Sequence, residues 1–257
     1  MPQLQTDDVT LSYEVDDEGD PVTVLAHGLT NNRDELAAFT SFVPGTKVRF
    51  DFRGHGRSSA PPPGRASFAD FARDVDAIAT HVGATVAVGT SLGAGALGHL
   101  VCREPARFER MVWLLPAGSD VPFPLAGRYR DLANSVDGLT SEELLERIVG
   151  STQKIDTPWR FELDRMLWQH DDPSGLARAV RGIVDDHPIP DRELLRRVES
   201  PTLIVTLGGD EIHPAELGEI FADLLPNAEL LAFEDQAALF ADLPQVLTRV
   251  SAFIAGA

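Results

Sequence analysis

The stretch Val86-Ala87-Val88-Gly89-Thr90-Ser91-Leu92-Gly93-Ala94-Gly95 constrains this chain more than any other. Its opening residues are β-branched and small, as in a strand buried on both faces. A Gly-Thr-Ser-Leu-Gly turn follows and runs into helix-compatible residues from Ala94 to Val101. Strand, sharp turn and helix in that order predict a parallel α/β unit. Glycines flank the serine because so tight a turn leaves no room for neighbouring side chains. Ser91 is thereby set at the carboxyl edge of a sheet and at a helix N-terminus, whose partial positive charge favours a developing anion. A glycine-rich turn with an idle serine is the bland alternative, and the flanking strand and helix argue against it.

The rest of the chain repeats this rhythm. An alternating edge strand is expected over 9–15, then buried strands at 22–26, 47–50, 111–115, 201–207 and 229–233. Helical spacing spans 68–82, 214–225 and 244–254. Strands alternating with helices predict a doubly wound, mostly parallel sheet. The rhythm breaks between 119 and 191, where the patterns at 141–149, 159–169 and 176–184 are helical and no strand is expected. The reading is an α/β core made of 1–118 and 192–257 with an inserted helical lid over 119–191.

Composition narrows the function classes. At 257 residues the chain is long enough for one large domain with an insertion. A net charge of −18 argues against nucleic acid and anionic membranes as partners. The single cysteine, Cys102, excludes an internal disulfide and a cysteine metal site. Residues 1–9 lack a signal-peptide pattern, and no run reaches transmembrane length, so a cytoplasmic protein is expected. No phosphate loop, dinucleotide fingerprint or metal-ligand cluster appears, so no cofactor and no metal are expected. Oligomeric state is not legible.

With His27-Gly28-Leu29, Asp51-x-Arg53-Gly54-x-Gly56-x-Ser58, Gly89-x-Ser91-x-Gly93 and Asp210 before Pro214, each at an expected strand end, the chain resembles the α/β-hydrolase superfamily over nearly its whole length. It is most similar to small, lidded bacterial esterases and lactonases. The resemblance implies a serine nucleophile, Ser91, and an acid, Asp210, orienting a histidine base, in the chain order Ser, acid, His. It also implies an oxyanion site made by the backbone N–H groups of Leu29 and Leu92. The substrate class implied is a small apolar ester or lactone.

One position departs from the pattern. The family's histidine lies seven residues before the proline that opens the last helix; counting back from Pro244 gives Ala237. No histidine follows His213. The expectation is therefore a hydrolase framework without its general base, inactive or nearly so, through engineering or natural loss. Alternatives are a non-catalytic small-molecule-binding protein on the same scaffold, a carbon–carbon hydrolase or lyase using the same pocket, and a substitute histidine, with His213 the first candidate. Trp159, Met166 and Trp168 of the lid, together with His27, are candidate pocket residues, although helical spacing fits lid packing equally well.

Overall fold

In the computed structural model the backbone is described for residues 1–121, 125–152 and 158–257, and side chains for those outside 149–161. An eight-stranded sheet has the order β1-β2-β4-β3-β5-β6-β7-β8. Its strands are β1 (Gln3–Gln5), β2 (Thr10–Asp16), β3 (Val22–Ala26), β4 (Thr46–Phe50), β5 (Val86–Thr90), β6 (Arg110–Leu114), β7 (Thr202–Leu207) and β8 (Ala228–Phe233). β1 and β2 pair antiparallel at one edge, and β4 through β8 continue in parallel. Register aligns Ala26 with Gly89, Gly89 with Trp113 and Trp113 with Ile204, so the carboxyl ends of the central strands open onto one edge.

Alternate residues of these strands face opposite layers, as a pleated strand requires. Ala26, Ala87, Trp113 and Ile204 join one core with α1 (Phe68–Val82), α2 (Leu92–Arg103) and α7 (Glu216–Leu224). Leu25, Val88, Val112 and Leu203 join a second with α8 (Gln236–Ala255), through Val246, Val250 and Ile254. By length and composition alone α8 could cross a membrane, which corrects the expectation that no run could. Its Val246, Val250, Phe253 and Ile254 nevertheless pack in the second core, and it carries Asp242 and Arg249.

Between β6 and β7 lie α3 (Ala126–Val136), α4 (Ser141–Thr152), α5 (Pro158–Leu167) and α6 (Pro173–Ile183), with no strand among the described residues. Ala133, Val136, Leu144, Leu176, Ala177, Val180 and Val184 give these helices a small core of their own. α3 was not read from the sequence: only Ala133 and Val136 on it are fully buried, too few for a clear period. The last helix also starts earlier than expected. Asp235 caps it by accepting from the Ala238 N–H at 2.8 Å, and Pro244 sits inside it.

Candidate active site

Ser91 stands where β5 ends and α2 begins, with φ 50° and ψ −105°. A Cβ on Gly93 would collide with the Ala26 carbonyl, and one on Gly89 would enter the backbone of Gly93, so both flanking positions require glycine. The turn is tied down on each side: Ser91 N–H donates to Leu114 O at 2.9 Å and Gly93 N–H to His27 O at 3.1 Å. A serine in this region of backbone space carries strain on the order of 1–3 kcal/mol. Replacing it with glycine relieves the strain, less the extra chain entropy of glycine. Ser91→Gly is therefore expected to be more stable by about 1 kcal/mol, a rise of about 2–4 °C in Tm by calorimetry.

The acid lies on the loop after β7. Asp210 Oδ1 accepts from the N–H of Ile212 at 2.9 Å and of His213 at 3.2 Å, folding the loop into a tight turn. This turn brings the His213 ring back over the same carboxylate, with Nδ1 2.8 Å from Oδ2. The other ring nitrogen, Nε2, is 3.0 Å from Ser91 Oγ. The Nδ1–H therefore donates to the carboxylate, leaving Nε2 to accept from the serine hydroxyl. Burial would raise the Asp210 pKa, but the His213 ring and the Ile212 and His213 amides outweigh it and hold the carboxyl below its usual range.

This corrects the expectation that Ser91 lacks an imidazole partner. His213, three residues after the acid, fills that place. Ala237 is an exposed residue in the first turn of α8 and lines neither cavity described below.

His27 is likewise not a pocket residue. It is fully buried; its Nε2 accepts the Phe52 N–H at 3.0 Å, so Nδ1 carries the proton and donates to Gly28 O at 2.7 Å. It fixes the loop that carries Leu29. Two more buried rings extend this support, with His27–His55 and His55–His170 centroids 5.1 and 5.9 Å apart. His55 Nε2 accepts from Thr30 N–H at 3.4 Å, and Nδ1 donates to Arg53 O at 3.0 Å. His170 Nδ1 accepts from Gly56 N–H at 2.8 Å, and Nε2 donates to Thr30 O at 2.9 Å. Burial pushes His27 down to about 3 and His170 to about 4, and holds His55 well below its ordinary value.

Leu92 is the first residue of α2, where a helix leaves backbone N–H groups without an intrahelical acceptor. Leu29 and Leu92 both line a cavity of about 30 Å³ beside Ser91, whose other walls include Phe68, Tyr129, Ile183 and Pro188. A more open cavity of about 270 Å³ lies between Thr30, Arg128, Tyr129, Leu132, Trp168 and Ile212. Trp168 thus lines a cavity, whereas Met166 is 37% exposed and lines neither; its carbonyl accepts from Asn32 Nδ2 at 2.8 Å. The Trp159 side chain lies outside the described residues.

Two residues near the site were not found from the sequence. Glu35 Oε2 accepts the Gly28 N–H at 2.6 Å, and Asn31 Nδ2 donates to its other oxygen. Burial raises its pKa against those hydrogen bonds. Tyr129, on the unread α3, lines both cavities. Neither stands in a motif; a weak helical pattern around Tyr129 was the one available signal. Among the described residues no group of three His, Cys, Asp or Glu could hold a metal.

A family model described as alpha/beta hydrolase fold matches residues 21–240. Similar solved structures include a hydrolase from Pseudomonas aeruginosa PA01, with 24% identity, coverage of 100% of this chain and 98% of that one, and a TM-score of 0.78. The enol-lactonase from Burkholderia xenovorans LB400 has 18% identity, full coverage of both chains and a TM-score of 0.78. A thermophilic esterase from Thermogutta terrifontis has 21% identity, coverage of 97% and 96%, and a TM-score of 0.76. At such identities the likeness concerns the fold. No curated protein sequence matches the chain.

Proposed function

Because the chain belongs to the alpha/beta hydrolase fold family, we propose that it is a serine hydrolase of carboxylic esters or lactones, with His213 as its base. The observation that carries this reading is the pair of contacts from one imidazole, 3.0 Å to Ser91 Oγ and 2.8 Å to Asp210 Oδ2. In the proposed reaction Ser91 Oγ attacks the acyl carbon while His213 Nε2 takes its proton. Asp210 holds the ring tautomer and offsets the imidazolium charge. The N–H groups of Leu29 and Leu92 receive the oxyanion. His213 then protonates the departing alkoxide, and water repeats the sequence on the acyl-enzyme. For a lactone the alkoxide stays tethered, and the product is a hydroxy acid.

Turnover of p-nitrophenyl acetate and of a panel of simple lactones tests the reading. A fluorophosphonate should add one phosphonyl group to Ser91, read by intact mass and peptide mapping. Ser91→Ala should abolish both labelling and turnover. A wild-type chain that is neither labelled nor active on any of these substrates would leave the scaffold as a binding protein.

A further inference from the structure

The geometry points to Tyr129 as the residue that sets acyl-chain length, by walling the small cavity beside Ser91 off from the larger one. This deepens the serine-hydrolase reading above and rests on it. Tyr129 is the residue shared by the two linings. On one side the cavity at Ser91 measures about 30 Å³ and is lined by apolar groups such as Phe68, Ile183 and Pro188. Of the two spaces the one beside Ser91 is the tighter, and its apolar walls suit a short acyl tail. On the other side about 270 Å³ opens between Thr30, which follows Leu29, and Ile212, which precedes His213. Trp168 and Leu132 give that side an aromatic and apolar wall.

The wall is held firmly. Tyr129 belongs to α3, which packs along α6, and Ala133 and Val136 one and two turns further on are fully buried in the small core of the insertion. The Tyr129 hydroxyl stays protonated, because burial first and the Asp210 charge second both raise its pKa. A neutral ring in that place divides the space by bulk. The preferred substrate is therefore an ester of a short acid with a larger apolar or aromatic alcohol, its acyl tail beside Gly95 and Phe68 and its alcohol against Trp168.

The test compares kcat/KM for p-nitrophenyl acetate and hexanoate in wild type, Tyr129→Ala, Tyr129→Leu and Tyr129→Phe, with melting curves for all. Wild type should favour acetate by about tenfold or more, within the range for overfilling a packed site. Tyr129→Ala joins the two spaces, and the hexanoate-to-acetate ratio should rise by about fourfold per methylene newly buried, the factor for about 0.8 kcal/mol each. Tyr129→Leu should move the ratio in the same direction by less, and it serves if the alanine variant does not fold. Tyr129→Phe should keep the short-acyl order whatever its absolute rate. A wild-type preference for hexanoate, an unmoved ratio in Tyr129→Ala and Tyr129→Leu, or a phenylalanine variant that behaves like alanine would each overturn the inference while phosphonylation of Ser91 still upheld the hydrolase reading. Loss of both labelling and turnover in wild type would remove that reading, and the inference with it.

Discussion

His213→Ala should lower kcat on a carboxylic ester by on the order of 10⁴ to 10⁶, the range for deleting the histidine of a serine triad. Ser91 would keep its turn and the Leu29 and Leu92 amides would remain, so substrate should still bind and KM should change far less than kcat. Ala237→His, added to that variant, should restore nothing. Position 237 is exposed on the first turn of α8, beyond the Asp235 cap. An imidazole placed there belongs to a helix, whereas the acid belongs to the loop after β7. Single-turnover kinetics on p-nitrophenyl acetate separate the outcomes. A His213→Ala enzyme within tenfold of wild type would show that another base serves Ser91.

The second large effect concerns acid. His27, His55 and His170 are buried and neutral, and each has one ring nitrogen occupied by a backbone N–H. Protonating any of them places a charge in the core and turns that acceptor into a second donor facing the amide. Their folded pKa values, about 3 for His27 and about 4 for His170, lie below the unfolded value of 6.5. The unfolded chain therefore binds more protons once the pH drops below about 6.5, and folding stability is lost as pH falls from there toward the folded values. Each ring contributes up to about 1.4 kcal/mol per pH unit, so the three together reach about 4 kcal/mol per unit. Glu35, Asp51 and Asp74 act the other way, since burial raises their pKa and they favour the folded state on acidification, which moderates the slope at the acid end. Urea midpoints at pH 7.5 and 5.5 should show a steep loss at the lower pH. His170→Gln should flatten the slope by about the share of one ring. Equal midpoints at both pH values would contradict this account.

The central strands and Ser91 were legible because their physics is local. A β-branched run, a turn that excludes Cβ atoms and a helix start are all written in adjacent residues. Asp210 was legible for the same reason, as the polar residue at the end of a buried strand. The imidazole partner of Ser91 was not, because its place was counted from Pro244 taken as a helix start. In the fold Asp235 caps the helix and Pro244 falls within it, so the count lands on a helical surface. What brings His213 to the serine is a turn made by the side chain of Asp210, and sequence spacing carries no direct sign of such a turn. β1 escaped notice as three residues, Gln-Leu-Gln, without an apolar pattern. The cluster of buried histidines was not legible, because the contacts that join it tie segments more than a hundred residues apart in the chain.

Putting the acid and the imidazole on one short loop has a mechanical consequence. Asp210 and His213 are carried by the same turn, so any displacement of that turn moves both against Ser91 together. The pair is held as one unit by the turn that Asp210 Oδ1 closes with the Ile212 and His213 amides. Substitutions along 209–214 should accordingly show strong epistasis with both residues. The exit of β8 is left with a purely supporting part, its Phe233 carbonyl accepting from the Gly208 N–H at 2.8 Å at the root of the loop. In the segment from 236 to 245 Leu239 packs against the second core and the Ala238 N–H closes the Asp235 cap, so the constraint there is one of packing and helix start rather than of contact with the serine.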